Sequence, residues 1–107
     1  METLLVLITC GDIAEARRIG TALVEERLAA CVHVRPHEAI YRWQGRVEQQ
    51  AEFTLLAKTV RGRYAALEAR VAALHSYEVP GIVSVAVEAG SAAFLAWVAA
   101  ETGSGGD

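Results

Sequence analysis

The chain has 107 residues, of which 53% are hydrophobic and 21% are charged, and its formal net charge is -3 at pH 7. This length suits one domain with a modest core, and this balance of apolar and charged residues excludes an intrinsically disordered chain. A slightly acidic chain without a run of lysine or arginine also argues against nucleic acid as a partner, because phosphate binding needs a basic surface.

The first predicted element is a strand over residues 3–9, where β-prone apolar residues continue until Cys10 and Gly11. Such a run is typical of a strand buried on both faces, so we expect it in the centre of a sheet. It is too short to span a membrane, and it has neither a basic leader nor a cleavage-like site of small residues. The two cysteines, Cys10 and Cys31, are too few for a disulfide framework and are expected to be free thiols. These features predict a cytoplasmic protein without a membrane partner.

A helix is predicted next, because Asp12 can cap its first turn and Glu15 follows three residues later. We expect this helix to continue to about Leu28. Its apolar stripe consists of Ala16, Ile19 and Leu23.

The longest predicted feature is a two-stranded ribbon over residues 30–60, folded about Gln44 and Gly45. Two runs rich in β-branched and aromatic residues flank this pair, and a glycine at the second loop position accepts the positive φ of a tight hairpin turn. Because side chains alternate along a strand, the turn fixes which residues face one another. The predicted cross-strand pairs are Trp43 with Arg46, Tyr41 with Glu48, His37 with Glu52, Val34 with Leu55, Val32 with Ala57 and Cys31 with Lys58.

This register divides the ribbon into two faces. The core face is apolar and carries Val32, Val34, Phe53, Leu55 and Ala57. The mixed face is too aromatic for a solvated surface and too polar for a core, and it carries Cys31, His33, His37, Tyr41, Trp43, Glu48, Glu52, Leu56 and Lys58. Pro36 cannot donate a ladder hydrogen bond, so it marks a bulge, a bend or a sheet edge, and a slip of the register by one residue is an alternative there.

The length of the ribbon predicts an assembly. A strand of about 13 to 15 residues spans roughly 45 Å, whereas a domain of this size has a radius of gyration of about 13 Å. The tip should project beyond the body, with Tyr41 and Trp43 on an edge that is adhesive unless another chain covers it. We therefore expect a homo-oligomer assembled through the ribbon; the alternative is a shorter, bulge-broken hairpin in a monomer.

The remaining chain adds a helix, a strand and a terminal helix. Apolar residues from Tyr64 to Leu74 recur at helical spacing up to His75. Pro80 and Gly81 break the chain before a strand over residues 82–87, and a short helix follows Gly90-Ser91. We expect one domain over residues 1–102 and a flexible Gly/Ser tail over residues 103–107. The order β-α-β-β-α-β plus a C-terminal helix predicts an α+β, ferredoxin-like fold with the helices on one sheet face and the other face open.

The mixed face offers ligands for a metal ion. Cys31, His33 and His37 alternate along one strand, and a thiol with imidazoles suits copper or zinc better than magnesium. The spacing matches no diagnostic metal motif, and the alternative is a solvated strand face with a surface pair between His37 and Glu52.

A second group of candidates follows the second helix. His75 can be a metal ligand, a proton carrier or a favourable cation at the helix C-terminus. Tyr77 and Glu78 are expected to fix the loop by hydrogen bonds, and Trp97 has the spacing of a packing residue. The serines lack a Gly-x-Ser-x-Gly setting, and no glycine-rich phosphate loop follows the first strand. The chain is therefore not expected to be an enzyme.

The sequence resembles the CutA divalent-cation-tolerance proteins. The segments that carry the resemblance are Leu28-Ala29-Ala30-Cys31-Val32, Tyr41-Arg42-Trp43-Gln44-Gly45, the run from Glu52 to Thr59, His75-Ser76-Tyr77-Glu78-Val79-Pro80 and Ala96-Trp97. The resemblance implies a ferredoxin-like subunit, a homotrimer in which long strands of neighbours pair, a cytosolic setting and an architecture similar to PII signalling proteins. It also implies that Cys31, His75 and Glu78 are candidate metal ligands. The pocket or interface positions that it implies are Tyr41, Trp43, Lys58, Tyr77 and Trp97.

The resemblance, together with the absence of a nucleophile motif, implies a trimeric, non-enzymatic protein of divalent-cation tolerance. We expect it to bind copper(II) or another divalent cation weakly, either through Cys31 and the histidines, including His33, or through the loop that carries His75 and Glu78. His33 adds a candidate ligand where the family usually has asparagine, and Gly81 removes one where it usually has an acidic residue. The alternatives are a PII-like regulator that holds a small anion or metabolite between subunits, favoured by Lys58 and Arg46, and a trimeric scaffold without a ligand.

Overall fold

The computed structural model describes residues 2–103 and contains four strands and three helices in these residues. The elements are β1 (Thr3–Cys10), α1 (Ile13–Glu25), β2 (Cys31–Trp43), β3 (Arg46–Val60), α2 (Arg61–Leu74), β4 (Ile82–Ala86) and α3 (Ala92–Glu101). The strands form one antiparallel sheet in the order β2-β3-β1-β4, which confirms the predicted fold and the central position of β1. Apart from Gly103, the expected flexible tail lies outside the described residues. None of the helices within residues 2–103 has the length and apolar character needed to cross a bilayer.

The register of the ribbon confirms all six predicted cross-strand pairs. Pro36 pairs with Phe53 inside an unbroken ladder, so neither a bulge nor a slip of the register occurs there. The reason is the sheet order, since β2 is an edge strand and an edge tolerates a residue without an N–H group. Of the bulge, the bend and the sheet edge that were considered for Pro36, the structure shows the sheet edge.

One face of the sheet packs against α1 and α2 and forms the core. Gly20 of α1 lets the helix approach Val32 and Leu55, because a Cβ atom at Gly20 would already lie 3.4 Å from Val32 Cγ1. Burial of each large apolar side chain here contributes about 1.5–3 kcal/mol. The main buried cluster consists of Leu4, Val6, Ile8, Cys10, Ala16, Ile19, Leu23, Leu28, Ala29, Leu55, Ala57, Leu67 and Val71.

The helices cover the core face of the ribbon only at the end far from the hairpin turn. Val34, predicted on the core face, is 38% exposed, and Ile40 and Val47 further along this face are 68% and 66% exposed. The prediction of burial was wrong for Val34 because alternation fixes the face of a residue but not how far the helices extend. The molecule measures 45 × 26 × 20 Å, so the ribbon does project beyond a smaller body.

The opposite face of the sheet, which we call the open face, includes the mixed face of the ribbon and the neighbouring apolar residues of β1 and β4. On it Leu7 pairs with Leu56 and Val83, and Leu7, Val83 and Val85 are 36%, 59% and 52% exposed. The expectation that β1 is buried on both faces is wrong for the single chain, since α1 and α2 lie on the core face and leave Leu7 exposed on the other face. One end of the open face is covered by α3, where Val98 packs with Val60 and Ala30.

The first helix begins as predicted but ends earlier. Asp12 caps it, because its side chain accepts a hydrogen bond of 2.7 Å from the Glu15 N–H. The helix ends at Glu25 and not near Leu28, because Arg27 has a φ of 60° and the Leu28 N–H returns to the Leu23 carbonyl at 2.8 Å.

The hairpin turn has positive φ at both central residues, 51° at Gln44 and 80° at Gly45. This is the geometry of a tight turn whose twist matches that of the flanking strands. The turn therefore depends on a glycine, which has no Cβ atom to disfavour this conformation.

We expect Gly45→Ala to lower the free energy of unfolding by about 1–2 kcal/mol, because alanine disfavours the left-handed region. Gly62→Ala is the matched control, since an added Cβ meets nothing within 4 Å at either glycine and only Gly45 has a positive φ. That control should stabilise the protein by about 0.5 kcal/mol, because Gly62 lies in α2. Urea unfolding at one fixed protein concentration measures both values, and equal effects of the two substitutions would contradict this account of the turn.

Glu15 is buried with 3% of its surface exposed and links α1 to the segment after α2. Its Oε1 accepts from the Gly11 N–H at 3.3 Å, and its Oε2 accepts from the Ser76 N–H at 2.6 Å. Burial alone would raise the pKa of Glu15, but the hydrogen bonds from Ser76 and Gly11 hold this pKa below its ordinary value. The ionised carboxylate is therefore part of the native structure.

Glu15→Gln should lower the free energy of unfolding at pH 7 by about 1.5–3 kcal/mol, because an amide group replaces one of the two accepting oxygens. The folded pKa lies below the unfolded value of about 4.5, so the stabilisation by Glu15 is complete above pH 4.5 and is lost as the pH falls through the folded pKa. Unfolding of both proteins between pH 3 and pH 7 measures this, with the exposed Glu25→Gln as the control. A difference between wild type and variant that does not shrink in acid would contradict it.

Candidate functional site

Cys31 and His33 lie next to each other on the mixed face at the beginning of β2. Lys58 faces Cys31 across the ladder, and its Nζ donates to His33 Nδ1 at 2.7 Å. Burial lowers the pKa of the Lys58 ammonium group, Cys31 opposes this shift and Arg35 adds to it. A metal ion at His33 must therefore compete with Lys58 for the ring nitrogen.

His75 lies at the end of α2 with a fully buried side chain. Its Nδ1 accepts from the Tyr77 N–H at 3.0 Å, so Nε2 carries the proton and donates to the Thr9 carbonyl at 2.5 Å. Both ring nitrogens are thus occupied in a neutral imidazole. Of the three roles considered for His75, this geometry favours none and makes the side chain a structural link between α2, β1 and the following loop.

In the described residues, one group of three potential metal ligands converges, and it consists of Cys10, Glu15 and His75. Their ligand atoms lie within 4.8 Å of one another. Burial raises the pKa of the Cys10 thiol to about 12, with further contributions from the charges of Glu15 and Asp12. Because the thiol stays protonated and the carboxylate and imidazole already have partners, this donor set does not fit a metal ion. The group does not include Cys31, His33 or Glu78.

A groove of about 630 Å³ lies between the mixed face of the ribbon tip and the loop before β4. Three of the predicted pocket residues, Tyr41, Trp43 and Tyr77, line it, as does the predicted ligand Glu78. The complete lining is Thr9, His37, Ala39, Tyr41, Trp43, Glu48, Gln50, Glu52, Tyr77, Glu78, Val79 and Gly81.

Glu52 is the buried anchor of the groove, with 4% of its surface exposed. It accepts a hydrogen bond of 2.9 Å from the Tyr77 hydroxyl and lies 3.3 Å from His37 Nε2. Thr54 Oγ1 lies 2.6 Å from the other ring nitrogen of His37. The predicted pair of His37 and Glu52 is confirmed, although it is largely buried and not a surface pair.

Two tyrosines hold their protons firmly at this groove. Burial and the hydrogen bond to Glu52 raise the pKa of Tyr77 to about 12, and burial followed by the charges of Glu52 and Glu48 raises the pKa of Tyr41. Tyr41 donates to Gln50 Oε1 at 3.0 Å. Both hydroxyls are therefore hydrogen-bond donors, and the expectation that Tyr77 fixes its loop by hydrogen bonding is confirmed.

Two predicted pocket residues lie elsewhere in the single chain. Lys58 contacts His33, and Trp97 lies on α3 beside Phe94 with a distance of 5.8 Å between the ring centroids. Trp97 is 41% exposed, so its packing in one chain is partial. Lys58 and Arg46, which favoured an anion site, lie near opposite ends of β3 and cannot meet within one subunit.

Sequence reasoning missed the roles of Gly11 and Glu15. Gly11 lets Tyr77 approach, since a Cβ atom there would lie 2.9 Å from the Tyr77 hydroxyl oxygen. From the sequence, Glu15 was expected only to take part in the cap of α1. A glycine directly after a buried strand was the available signal for close approach, whereas no sequence signal linked Glu15 to Ser76.

Comparisons with known proteins agree with this fold over nearly the whole chain. The family model of the CutA1 divalent ion tolerance protein matches residues 4–101. The divalent-cation tolerance protein CutA of Thermus thermophilus is 48% identical over 99 residues, which cover 92% of this chain and 96% of that protein. Human protein CutA is 38% identical over 92 residues, which cover 85% of this chain and 51% of that protein.

The fold is also similar to that of solved CutA structures. The divalent cation tolerance protein (Cut A1) from Thermus thermophilus superposes with a TM-score of 0.92 at 46% identity, covering 94% of this chain and 99% of that chain. The periplasmic divalent cation tolerance protein CutA from Archaeoglobus fulgidus has a TM-score of 0.92 at 34% identity, covering 94% and 98%. Together with the family model, these similarities place the chain in the CutA1 divalent ion tolerance protein family.

Proposed function

We propose that this protein acts in tolerance to divalent cations as a homotrimer without catalytic activity, and that it binds copper(II) or another divalent cation. The observation that carries this proposal is the position of a thiol and an imidazole side by side on the open face, where Cys31 is half-buried and His33 is exposed. Membership of a family named for divalent ion tolerance supports the class of ligand.

The open face supports assembly with further copies of the chain. Leu7, Val83 and Val85 form a neighbouring apolar set on it, and each is at least 36% exposed in the single chain. The projecting tip adds Trp43, which is 43% exposed. Such surfaces are typical of subunit interfaces, since contact with another copy removes the apolar area from water.

Light scattering at micromolar concentration should give a mass of about 35 kDa, three times the 11.5 kDa of one chain. Val83→Glu should reduce the mass towards one chain, because it places a charge in the proposed apolar interface. Val24→Glu is the control, since Val24 is 41% exposed on α1 and does not lie on the sheet. A wild-type protein with the mass of one chain would refute the assembly.

The proposed cation site uses Cys31 as a thiolate and His33 as a neutral imidazole. This pair suits copper or zinc, which accept sulfur and nitrogen ligands. Binding requires loss of the thiol proton and release of His33 by Lys58, so the affinity should rise with pH. Glu78 is exposed and His75 is buried with both nitrogens in use, so the loop after α2 is the weaker of the two predicted ligand pairs.

Isothermal titration with copper(II), and with zinc(II) in parallel, should show saturable uptake by the wild-type protein. Cys31→Ser and His33→Ala should each weaken it about tenfold or more, because each removes one ligand. His37→Ala is the matched control on the same strand face, and His75→Ala tests the loop. Uptake that is unchanged in both Cys31→Ser and His33→Ala would eliminate this site.

We also propose a cytoplasmic location, which the two free thiols, Cys10 and Cys31, support because thiols persist in reducing compartments. Fractionation of the native cells decides between this location and that of the archaeal relative described as periplasmic.

A further inference from the structure

We infer that the ribbon tip of one copy completes the groove of the next copy, with the guanidinium group of Arg46 between the carboxylates of Glu48 and Glu78. The groove lies on the face that the proposed trimer buries, and therefore its occupant is a second copy of the chain. The inference rests on that proposed trimer and goes beyond it, because it names the pair of charges that specifies how neighbouring copies dock.

The groove requires positive charge from outside its own chain. Its lining includes the carboxylates of Glu48, Glu52 and Glu78 but no lysine or arginine. Glu52 has the Tyr77 hydroxyl and His37 as partners, whereas Glu48 and Glu78 form no ion pair within residues 2–103. Carboxylates that are buried between copies without a partner would destabilise the assembly, because they lose their hydration.

The ribbon carries arginines that lack an ion pair. In the part of the chain that the structure describes, the arginines that form ion pairs all lie outside the ribbon, and they are Arg18, Arg27, Arg61 and Arg70. The ribbon arginines are exposed and form none, and they are Arg35, Arg42 and Arg46. The ribbon therefore brings both the carboxylates that need a partner and the cations that can supply it.

The register selects Arg46 among these three arginines. Arg46 pairs with Trp43, which lines the groove, so Arg46 lies on the mixed face at the projecting end of the ribbon. Arg42 precedes Trp43 on the same strand and therefore lies on the opposite face. Arg35 shares the mixed face but lies nearer the base, where its charge lowers the pKa of Lys58. A tip that extends over a neighbouring copy thus presents Arg46 to it.

Cyclic assembly explains why the arginine and its carboxylates come from different copies. Arg46 does not line the groove of its own chain, although Glu48 on the same strand does. Copies in a ring make a heterologous contact, in which two different patches of the chain meet, and here these patches are the tip and the groove. A guanidinium group pairs with carboxylates and stacks on aromatic rings, and the groove offers carboxylates together with the rings of Tyr41 and Tyr77.

Charge reversal in the full-length protein tests the contact. Arg46→Glu and Glu78→Arg should each raise the protein concentration of half-dissociation about thirtyfold or more, because each places like charges at every contact of the ring. The variant with both substitutions should recover most of this loss, because it exchanges the charges and keeps the pair. Arg42→Glu is the matched control, since it makes the same change at the same tip on the opposite face, and its effect should stay within about threefold. Sedimentation over a range of protein concentrations at one fixed urea concentration measures all four variants.

Crosslinking then tests whether the two residues belong to different copies. Arg46→Cys combined with Glu78→Cys, treated with a short bismaleimide, should give covalent dimers and trimers on a denaturing gel. Arg42→Cys combined with Glu78→Cys retains the same native thiols and should give far fewer. Equal crosslinking of the two proteins would overturn the inference, as would equal effects of Arg46→Glu and Arg42→Glu or the lack of recovery in the doubly reversed variant. These results refute the docking contact alone, whereas a wild-type protein with the mass of one chain refutes the proposed trimer as well.

Discussion

The structure depends on the continuous pairing of β2 with β3, which runs from Cys31 and Lys58 to Trp43 and Arg46 without a bulge. Because the ladder has no bulge, the alternation of side chains between the two faces continues in the same phase from the base of the ribbon to its tip. The first two helices fill one face at the base, α3 covers only one end of the opposite face, and the tip is left uncovered in the described residues. The distribution of apolar and polar side chains on the exposed surface follows from this single ladder.

Two buried carboxylates set the position of the segment after α2. Glu15 accepts from the Ser76 N–H, and Glu52 accepts from the Tyr77 hydroxyl, so consecutive residues are held by α1 and by the ribbon. His75 adds a third fixed point through the Thr9 carbonyl. This segment forms one wall of the groove, and therefore the shape of the groove depends on hydrogen bonds to groups that lie outside the ribbon. A buried carboxylate is stable there because neutral donors compensate its desolvation.

The sequence predicted those features that local chemistry determines. Alternation along the strands and the positive φ of Gly45 were enough to fix the cross-strand pairs, and Asp12 marked the start of α1. Features that depend on distant parts of the chain were not accessible in this way. The exposure of Val34 depends on where the helices stop, and the occupied nitrogens of His75 depend on Thr9, which lies 66 residues away. The metal ligands predicted from strand spacing could likewise not reveal that Lys58 already contacts His33.

The open face carries candidate chemistry of opposite charge at its two ends. At the base, the ammonium group of Lys58 lies beside Cys31 and His33, so a divalent cation there must displace an existing cation. At the tip, Glu48 and Glu52 line a groove whose lining in the single chain includes no lysine or arginine. This difference follows from which residues the single ladder places at each end of the ribbon.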